Sequence, residues 1–375
     1  MNSTLKEILL YVMVYGYMVI RGRARVSPTT PKRVLVWQMA KLGDMVCTTP
    51  MFHALKKAHS HIHVTVVGNF INKQVLEGNS DVDEYIVFNG FLSTLRLMRS
   101  AHYDAAFVTA PSTIAIATLF LGNVRSINAP RIMRGDSPYE TVIYRALLPL
   151  VVEHPHHMHQ YAPREYLRLL EGIGISTDDT TKHLSHSMNA RRRITVFLRE
   201  HDLPEKKFVV LSPSAGNKIK RWPPKRFARV AEHLVAGGWP VVVIGGSRDR
   251  EEVADMMRAV TKVGGIVNTI EQFSLDELKA LVASASLFIS VDTGPIYIAE
   301  AFGVPTVDIT GPIDEREQPP IGPYHLVVTP PEPRTSELFV MDARSYDATE
   351  AIRQTESITV DMVLVACRHL LSPTT

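Results

Sequence analysis

The sequence predicts two doubly wound parallel α/β domains in one chain. Short apolar segments of strand length alternate with helix-length segments from residue 33 onwards, which is the pattern of a parallel sheet covered by helices. The chain has 375 residues, more than one typical domain and enough for two separate cores. A buried strand runs into a polar turn and then a helix in both halves, which is how such sheets build ligand sites.

The composition is that of an ordinary globular protein. Hydrophobic residues make up 45% and charged residues 21% of the chain, and the formal net charge is only +3. A balance so close to neutral predicts no nucleic-acid partner. Two cysteines, Cys47 and Cys367, exclude a disulfide framework and suit a reducing cytoplasm. Neither lies in a metal-binding spacing. No acidic pair with metal spacing occurs near the polar turns described below, so we predict no metal, and we expect no bound cofactor.

Residues 1–30 form a separate apolar and basic segment. Residues 8–20 carry no charge, and Arg21, Arg23 and Arg25 follow. A helix of this length reaches roughly 20 Å, which is short of a hydrocarbon core of about 30 Å. A signal peptide is disfavoured because no small-residue cleavage site follows. An interfacial helix on anionic lipid and a helix packed on the protein's own surface both fit, with 27–31 as a linker.

The first domain is predicted over residues 31–187. Its expected strands are 33–39, 63–68, 84–88 and 104–109, and its expected helices are 45–58, 91–100 and 112–121. His154, His156, His157 and His159 crowd one stretch. Because Pro155 breaks a helix there and no cysteine or acidic ligand is paired at the usual spacing, this stretch predicts a loop leading into a helix at 164–170 rather than a metal site.

The second domain is predicted over residues 188–343, after a helical passage at 186–205. Its expected strands are 207–213, 240–245, 265–269, 286–291 and 305–309, and its expected helices are 224–236, 248–260, 274–285 and 295–302. Ser274 and Glu277 form a capping box that begins one of these helices. The tail at 344–375 contains a last helix at about 359–371.

The most informative segment is 286–312. An apolar strand runs into Asp292, Thr293 and Gly294, Pro295 follows, and a short helix begins. Backbone N–H groups at such a helix start attract anions, and a carboxylate and a hydroxyl lie beside them. The alternative is that Asp292 or Thr293 simply caps the helix. The segment predicts either a phosphate site or an ordinary cap.

A second polar turn follows the first strand. A buried strand is predicted over residues 34–39 and runs into Lys41, Leu42, Gly43 and Asp44. A carboxylate at the carboxyl end of a parallel strand faces the crevice in which these sheets bind ligands, so Asp44 is a candidate general base. Its alternative role is the cap of the next helix. Gly43 allows a close backbone turn, and Lys41 is either an anion contact or a solvated lysine.

A third group of polar residues follows strand 207–213. Ser214 and Gly216 offer a hydroxyl and a backbone N–H to phosphate. Lys220 is the strongest cation candidate because Trp222 and the proline after it fix the loop, and an ammonium suits a diphosphate. After strand 240–245, Asp249 or Glu251 can accept a hydrogen bond from a ribose hydroxyl.

Together these motifs resemble the bacterial glycosyltransferase family that contains the ADP-heptose lipopolysaccharide heptosyltransferases. In that family the first strand ends in Leu-Gly-Asp, a Lys-x-Trp-Pro element follows, and the second domain carries Asp-Thr/Ser-Gly-Pro-Met-His. Residues 42–44, 220–223 and 292–295 match these motifs in order, and the resemblance spans residues 33 to about 370. One position departs from it, because Tyr297 stands where the family has its His. Tyrosine can donate a hydrogen bond but carries no positive charge at neutral pH.

The resemblance implies a GT-B fold, in which two Rossmann-like domains face each other across a cleft and the last helix returns to the first domain. It implies that Asp44 is the catalytic base of an inverting transfer and that Lys220 serves the departing diphosphate. Asp292, Thr293, Gly294 and the residue at 297 would bind the nucleotide phosphates and the sugar.

The implied partners are a nucleotide-sugar donor, ADP-heptose above all, and a lipid-linked saccharide of the lipopolysaccharide core. The enzyme would act as a peripheral protein at the cytoplasmic face of the inner membrane. Two alternatives remain: a nucleotide-sugar 2-epimerase of the same fold, and a non-catalytic binding protein, which Tyr297 leaves open. A Rossmann dehydrogenase is disfavoured because no Gly-x-Gly-x-x-Gly follows the first strand.

Overall fold

The computed structural model describes residues 3–21, 30–262, 264–332, 334–342 and 346–372. The chain divides into two compact units. The first domain comprises Met1–Thr181 with Val340–Arg344, and the second comprises Lys182–Phe339 with Ser345–Thr375. The boundary therefore lies after Thr181 rather than after residue 187, and the expected linker at 27–31 lies largely outside the described residues.

The first domain is a parallel α/β unit. Its strands are β1 (Arg33–Trp37), β2 (His63–Gly68), β3 (Glu84–Val87), β4 (Ala105–Val108), β5 (Ser126–Met133) and β6 (Val152–His157). Its helices are α1 (Ser3–Arg21), α2 (Leu42–Ala58), α3 (Phe70–Val75), α4 (Phe91–Ala101), α5 (Thr113–Leu121), α6 (Val142–Leu147) and α7 (Ala162–Arg168). The strands form one sheet in the order β3-β2-β1-β4-β5-β6. Val34 and Val36 of β1 are buried as completely as Leu35, as expected of a central strand covered on both faces.

The second domain is built in the same way. Its strands are β7 (Val209–Ser212), β8 (Val241–Val243), β9 (Ile266–Asn268), β10 (Leu287–Val291), β11 (Thr306–Ile309) and β12 (His325–Val328). Its helices are α8 (Met188–Glu200), α9 (Pro224–Ala236), α10 (Arg250–Ala259), α11 (Leu275–Ala283), α12 (Gly294–Ala301), α13 (Ala348–Ser357) and α14 (Val360–Leu371). The sheet order is β12-β11-β10-β7-β8-β9.

Both sheets have the same strand order. Counted within its own domain, each sheet reads 3-2-1-4-5-6 in one direction, and the strands pair in parallel. The chain direction across the sheet reverses between the first and fourth strands. That switch point lies between β1 and β4 in the first domain and between β7 and β10 in the second. Ligands bind beside such points, outside the carboxyl ends of the strands.

Three of the four crowded histidines lie in a strand rather than in the predicted loop, and His159 lies in the turn that follows it. Residues 152–157 form β6, which pairs with β5 at the edge of the first sheet. Pro155 is compatible with this position because an edge strand leaves one side of its backbone unpaired. His154 contacts the amide oxygen of Asn128 at 3.0 Å, and burial, with His157 and Arg168 nearby, lowers the pKa of His156 to about 4.

The prediction that the last helix returns to the first domain is wrong. Val363, Leu364 and Cys367 of α14 are buried in the hydrophobic core of the second domain. Helix α14 packs on α9 and on β10, β11 and β12. The apolar side of this helix has the right spacing for either domain, so its sequence alone did not determine where it packs.

Helix α1 packs on the first domain. Val14 is fully buried in the core that also contains residues of α5 and α6. The Tyr15 hydroxyl donates to the Ala146 carbonyl oxygen at 2.7 Å, and the Tyr17 hydroxyl donates to the Asn123 amide oxygen at 2.9 Å. One of the two alternatives for residues 8–20, packing on the protein's own surface, therefore holds for one face of the helix. None of the helices in the described ranges has the length and apolar character needed to cross a membrane.

Candidate active site

Asp44 lies in the first turn of α2, at the carboxyl end of β1. The helix begins at Leu42, earlier than expected, so Asp44 is its third residue and is partly exposed. One carboxylate oxygen, Oδ2, accepts a hydrogen bond from the Lys41 backbone N–H at 3.0 Å. Asp44 therefore caps the helix start while it remains at the edge where the sheet binds ligands. Capping the helix does not remove the carboxylate from this edge, so the cap does not rule out the predicted catalytic role.

The turn before Asp44 is held by buried amide side chains that the sequence did not reveal. Gln38 is 1% exposed; its amide oxygen accepts from the Ala40 N–H at 3.0 Å and its amide nitrogen donates to the Thr48 hydroxyl at 3.0 Å. The amide of Asn72 donates to the Ala40 carbonyl oxygen at 2.9 Å. A polar residue that directly follows a buried strand was the available signal for Gln38. These contacts fix the backbone that carries Asp44.

The other two predicted residues of this turn differ in exposure. Lys41 occupies the N-cap position of α2 and its side chain is exposed, whereas Gly43 is buried inside the first helical turn. Gly43 is not among the glycines with positive φ. The sharp turn that was expected at Gly43 is therefore replaced by helical backbone, and its small size matters only for close packing.

In the second domain, the structure brings together three predicted residues. The Lys220 ammonium donates to Oδ2 of Asp292, and the Tyr297 hydroxyl donates to Oδ1 of the same carboxylate. The side chains of Lys220 and Asp292 are 17% and 11% exposed, and Tyr297 is buried. Both oxygens of Asp292 are thus paired, and the tyrosine that replaces the family's His is used to orient that carboxylate.

The C-terminal helices hold the loop that carries Lys220. Trp222 is fully buried, and its indole N–H donates to the Ile358 carbonyl oxygen at 2.8 Å. The Thr355 hydroxyl donates to the Ile219 carbonyl oxygen at 2.8 Å. Trp222 fixes the loop as predicted, but its partner in the tail could not be read from the sequence.

The N-terminus of α12 has no side-chain cap. Thr293 occupies the N-cap position, and its side chain makes no cap hydrogen bond. Asp292 is bonded to Lys220 and Tyr297 instead, so the capping alternative for these two side chains is wrong. Gly294 is the first helical residue, followed by Pro295. A helix start that lacks a side-chain acceptor keeps its partial positive charge for a ligand.

Ser214 and Asp249 form a pair at the edge of the same sheet. The Ser214 hydroxyl donates to Oδ1 of Asp249 at 2.5 Å, and the Gly246 backbone N–H donates to Oδ2 at 2.8 Å. Asp249 is therefore partly used in holding its own turn. A Cβ atom added at Gly216 would meet no other atom within 4 Å, so the space directly beside that backbone is open in the described part of the protein.

Asp308, which the sequence did not reveal as a site residue, lies beneath this site. It is fully buried on β11, and neither carboxylate oxygen has a hydrogen-bond partner in the described residues. Its neighbour in the strand pairing is Ser290, whose hydroxyl is likewise unpaired there. Burial raises the pKa of Asp308 well above its ordinary value; the nearby charges of Asp292 and Glu300 raise it further, and Lys220 opposes them. An acid inside the strand 305–309 was the only sequence signal.

Two parallel α/β domains of this strand order, with polar turns at both switch points, define a GT-B glycosyltransferase fold. The model of the family described as glycosyltransferase family 9 (heptosyltransferase) matches residues 98–342. The chain belongs to this family, and it is a glycosyltransferase.

Individual relatives agree with this assignment. A curated protein named lipopolysaccharide heptosyltransferase 3, from Escherichia coli, is 24% identical over 295 residues, which cover 72% of this chain and 81% of the relative. A family 9 glycosyltransferase structure from Veillonella parvula superposes with a TM-score of 0.72 at 22% identity, covering 93% of this chain and 99% of that one. The structure of E. coli ADP-heptose lps heptosyltransferase II superposes with a TM-score of 0.70 at 19% identity, covering 90% of this chain and 98% of that one. At these identities the structural matches establish the fold.

Proposed function

We propose that this glycosyltransferase moves a heptose, or a closely related sugar, from ADP-heptose to an acceptor in the lipopolysaccharide core. The observation that carries the proposal is the Lys220–Asp292 ion pair beside the uncapped start of α12, at the switch point of the second sheet. A cation beside free helix N–H groups suits a diphosphate leaving group. The donor and acceptor are those in the names of the relatives.

In the proposed reaction an acceptor hydroxyl attacks the anomeric carbon of the donor sugar. Asp44 accepts the hydroxyl proton while the new C–O bond forms, and the bond to the diphosphate breaks with its electron pair on the leaving oxygen. The anomeric configuration inverts. The Lys41 N–H bond to Oδ2 holds the Asp44 carboxylate at the carboxyl end of β1, where it would take this proton. Lys41 and Gly43 would lie on the acceptor side of this step.

The second domain would hold the donor. Lys220 and the N–H groups at Gly294 would meet the diphosphate, so that charge developing on the leaving oxygen is stabilised without a metal ion. Asp292 and Tyr297 would keep the Lys220 ammonium in place, because their mutual contacts leave the lysine little freedom. Ser214 and Gly216 would contact phosphate, Thr293 the sugar or phosphate, and Asp249 a ribose hydroxyl.

The proposed acceptor is lipid-linked, so the enzyme would work as a peripheral protein at the cytoplasmic face of the inner membrane. An acceptor anchored in a bilayer restricts the reaction to that surface, and an enzyme held there meets its substrate more often.

The donor experiment offers ADP-heptose and matched UDP- and GDP-sugars to the purified protein with a soluble core-saccharide acceptor. We expect ADP release coupled to an acceptor mass gain of one heptose. An epimerase, which family membership does not favour, would alter the nucleotide sugar without releasing nucleotide. A non-catalytic binding protein would show a thermal shift with ADP-heptose but no product. Release of UDP or GDP with transfer would contradict the proposed donor.

A further inference from the structure

Helix α1 is apolar on two opposite faces, and only one of them packs on the protein. Val14 is fully buried, and Leu10, Tyr11, Tyr17 and Met18 pack against the core of the first domain. At 100° per residue these five side chains lie within one side of the helix. The remaining apolar side chains must point elsewhere.

The second apolar face is exposed along the length of the helix. Its apolar side chains are Leu5, Ile8, Leu9, Val12, Val19 and Ile20, which are between 46% and 83% exposed. Leu5, Leu9, Val12, Gly16 and Val19 are spaced by four, three, four and three residues, which places them in one stripe. We call these six side chains, with Gly16 between them, the exposed stripe. An isolated exposed apolar residue is ordinary, but a continuous stripe indicates an interaction surface.

The charged residues near the exposed stripe indicate what kind of surface it binds. No Asp or Glu occurs from residue 8 to residue 43, while six Lys or Arg residues occur in the same stretch. The acid that precedes it, Glu7, accepts a hydrogen bond from the Thr141 hydroxyl at 3.0 Å. An apolar stripe followed by basic residues complements a surface that is apolar inside and anionic outside.

We propose that the exposed stripe of α1 docks on an anionic lipid bilayer. The helix lies in the plane of the interface, with Val14 and its neighbours towards the protein and the exposed stripe in the headgroup region. The same helix therefore joins the first domain and the membrane. The inference rests on the proposed function for its biological purpose, because a lipid-linked acceptor gives the docking its use.

The test uses the full chain and the double variant V12E/V19E, which places two carboxylates in the exposed stripe. The matched control is V365E, because Val365 of α14 is 59% exposed and Val12 is 60% exposed. Flotation is measured with vesicles of phosphatidylcholine alone and of phosphatidylcholine mixed with phosphatidylglycerol. Turnover on a soluble acceptor and thermal unfolding are measured for all three proteins.

We expect the parent and V365E to float with the anionic vesicles. The double variant V12E/V19E should bind these vesicles at least about tenfold more weakly than the parent. Turnover on the soluble acceptor should be equal in all three. A parent that does not float, or a double variant that floats as well as the parent, would overturn the docking. So would a parent dimer that the double variant abolishes without any vesicle binding, since the exposed stripe would then join two copies. Absence of turnover in all three would count against the proposed function and leave the flotation result standing.

Discussion

The two domains share one strand order but differ at the helix start after the fourth strand. After β4, the Ser112 side chain accepts a hydrogen bond from the Ala115 N–H at 3.2 Å and caps α5. After β10, Thr293 stands at the corresponding position and its side chain does not cap α12. Both helices begin at a switch point, but the start of α5 is capped by a side chain and the start of α12 is not. We call these the closed and the open helix start. Only the open one is suited to a phosphate.

The loops after the first strand of each domain also differ, in their length and in the charged residues that they carry. In the first domain β1 is followed within a few residues by α2, and Asp44 is the acidic residue in its first turn. In the second domain a longer loop separates β7 from α9 and places Lys220 against Asp292. One domain thus has a carboxylate at its edge and the other an ion pair. Strand order alone assigns neither role, and the turn residues set them.

The largest expected effect is a loss of turnover when the carboxylate of the first domain, Asp44, is replaced. Asp44→Asn keeps an oxygen for the Lys41 N–H but removes the proton acceptor, so turnover should fall roughly 10²- to 10⁴-fold. ADP affinity and thermal stability should change little. The control is Asp104→Asn, because Asp104 accepts backbone N–H groups from Lys32 and Arg33 at the other end of the sheet. Turnover of Asp44→Asn within a few-fold of the parent would leave Asp44 as a helix cap only.

The ion pair of the second domain should give the next largest effect. Lys220→Ala removes the cation and leaves a carboxylate beside the diphosphate, so ADP affinity should fall about 10- to 100-fold by calorimetry. Adding Asp292→Asn to that variant should restore part of the loss, because the repelling charge is removed.

Lys218→Ala is the matched control, since Lys218 is an exposed lysine in the same short 3₁₀ turn, Lys218–Lys220. It should bind ADP as the parent does. Equal ADP affinity of the parent and Lys220→Ala would move the donor site away from this pair.

The difference between the two helix starts can be reversed by substitution. Thr293→Asp gives α12 a side-chain cap and a negative charge, so ADP binding should weaken about tenfold while the helix start is stabilised. Ser112→Ala removes the cap of α5 and should lower the free energy of unfolding by about 1 kcal/mol. ADP affinity should not change in Ser112→Ala. Tighter ADP binding by Thr293→Asp would show that α12 does not meet the phosphates.

The sequence was sufficient for the features that are local. All nine predicted strands were found, because each is an apolar run bounded by turn residues. Strands β5, β6 and β12 were missed: β5 contains Pro130 and Arg131, which interrupt its apolar pattern, and β6 is the histidine stretch for which a loop was predicted. The turn residues Asp44 and Asp292 were placed correctly at the edges of their sheets, because carboxyl ends of parallel strands share an edge.

The sequence was insufficient wherever the outcome depended on a distant partner. The destination of α14 and the anchoring of Trp222 by Ile358 are tertiary contacts. The same holds for Tyr297, whose position in the motif suggests a phosphate contact and whose hydroxyl in the structure donates to Asp292. Periodicity also indicates an apolar helix at residues 8–20, but only the structure separates its packed face from its exposed stripe.

The smallest expected effect is on the pH dependence of stability, and it follows from a comparison of the fifth strands of the two sheets. Asn128 of β5 is buried and its amide is bonded on both sides, to the Ala106 carbonyl oxygen at 3.3 Å and to His154 at 3.0 Å. The corresponding residue of β11, paired beside Ser290, is Asp308, whose carboxylate has no partner in the described residues. Asp308→Asn therefore places an uncharged amide on the fifth strand of the second sheet, as Asn128 does in the first.

The pKa of Asp308 is raised well above 3.8, first by burial and then by Asp292 and Glu300. Between the unfolded and folded pKa values the folded state binds more protons than the unfolded state, so stability decreases as the pH rises. The contribution of this one group is at most about 1.4 kcal/mol per pH unit. Denaturant unfolding from pH 5 to pH 8 should therefore show a shallower loss of stability in Asp308→Asn than in the parent, and the advantage of the variant should increase with pH. Parallel curves for the two proteins would mean that Asp308 titrates in the folded protein as it does in the unfolded chain.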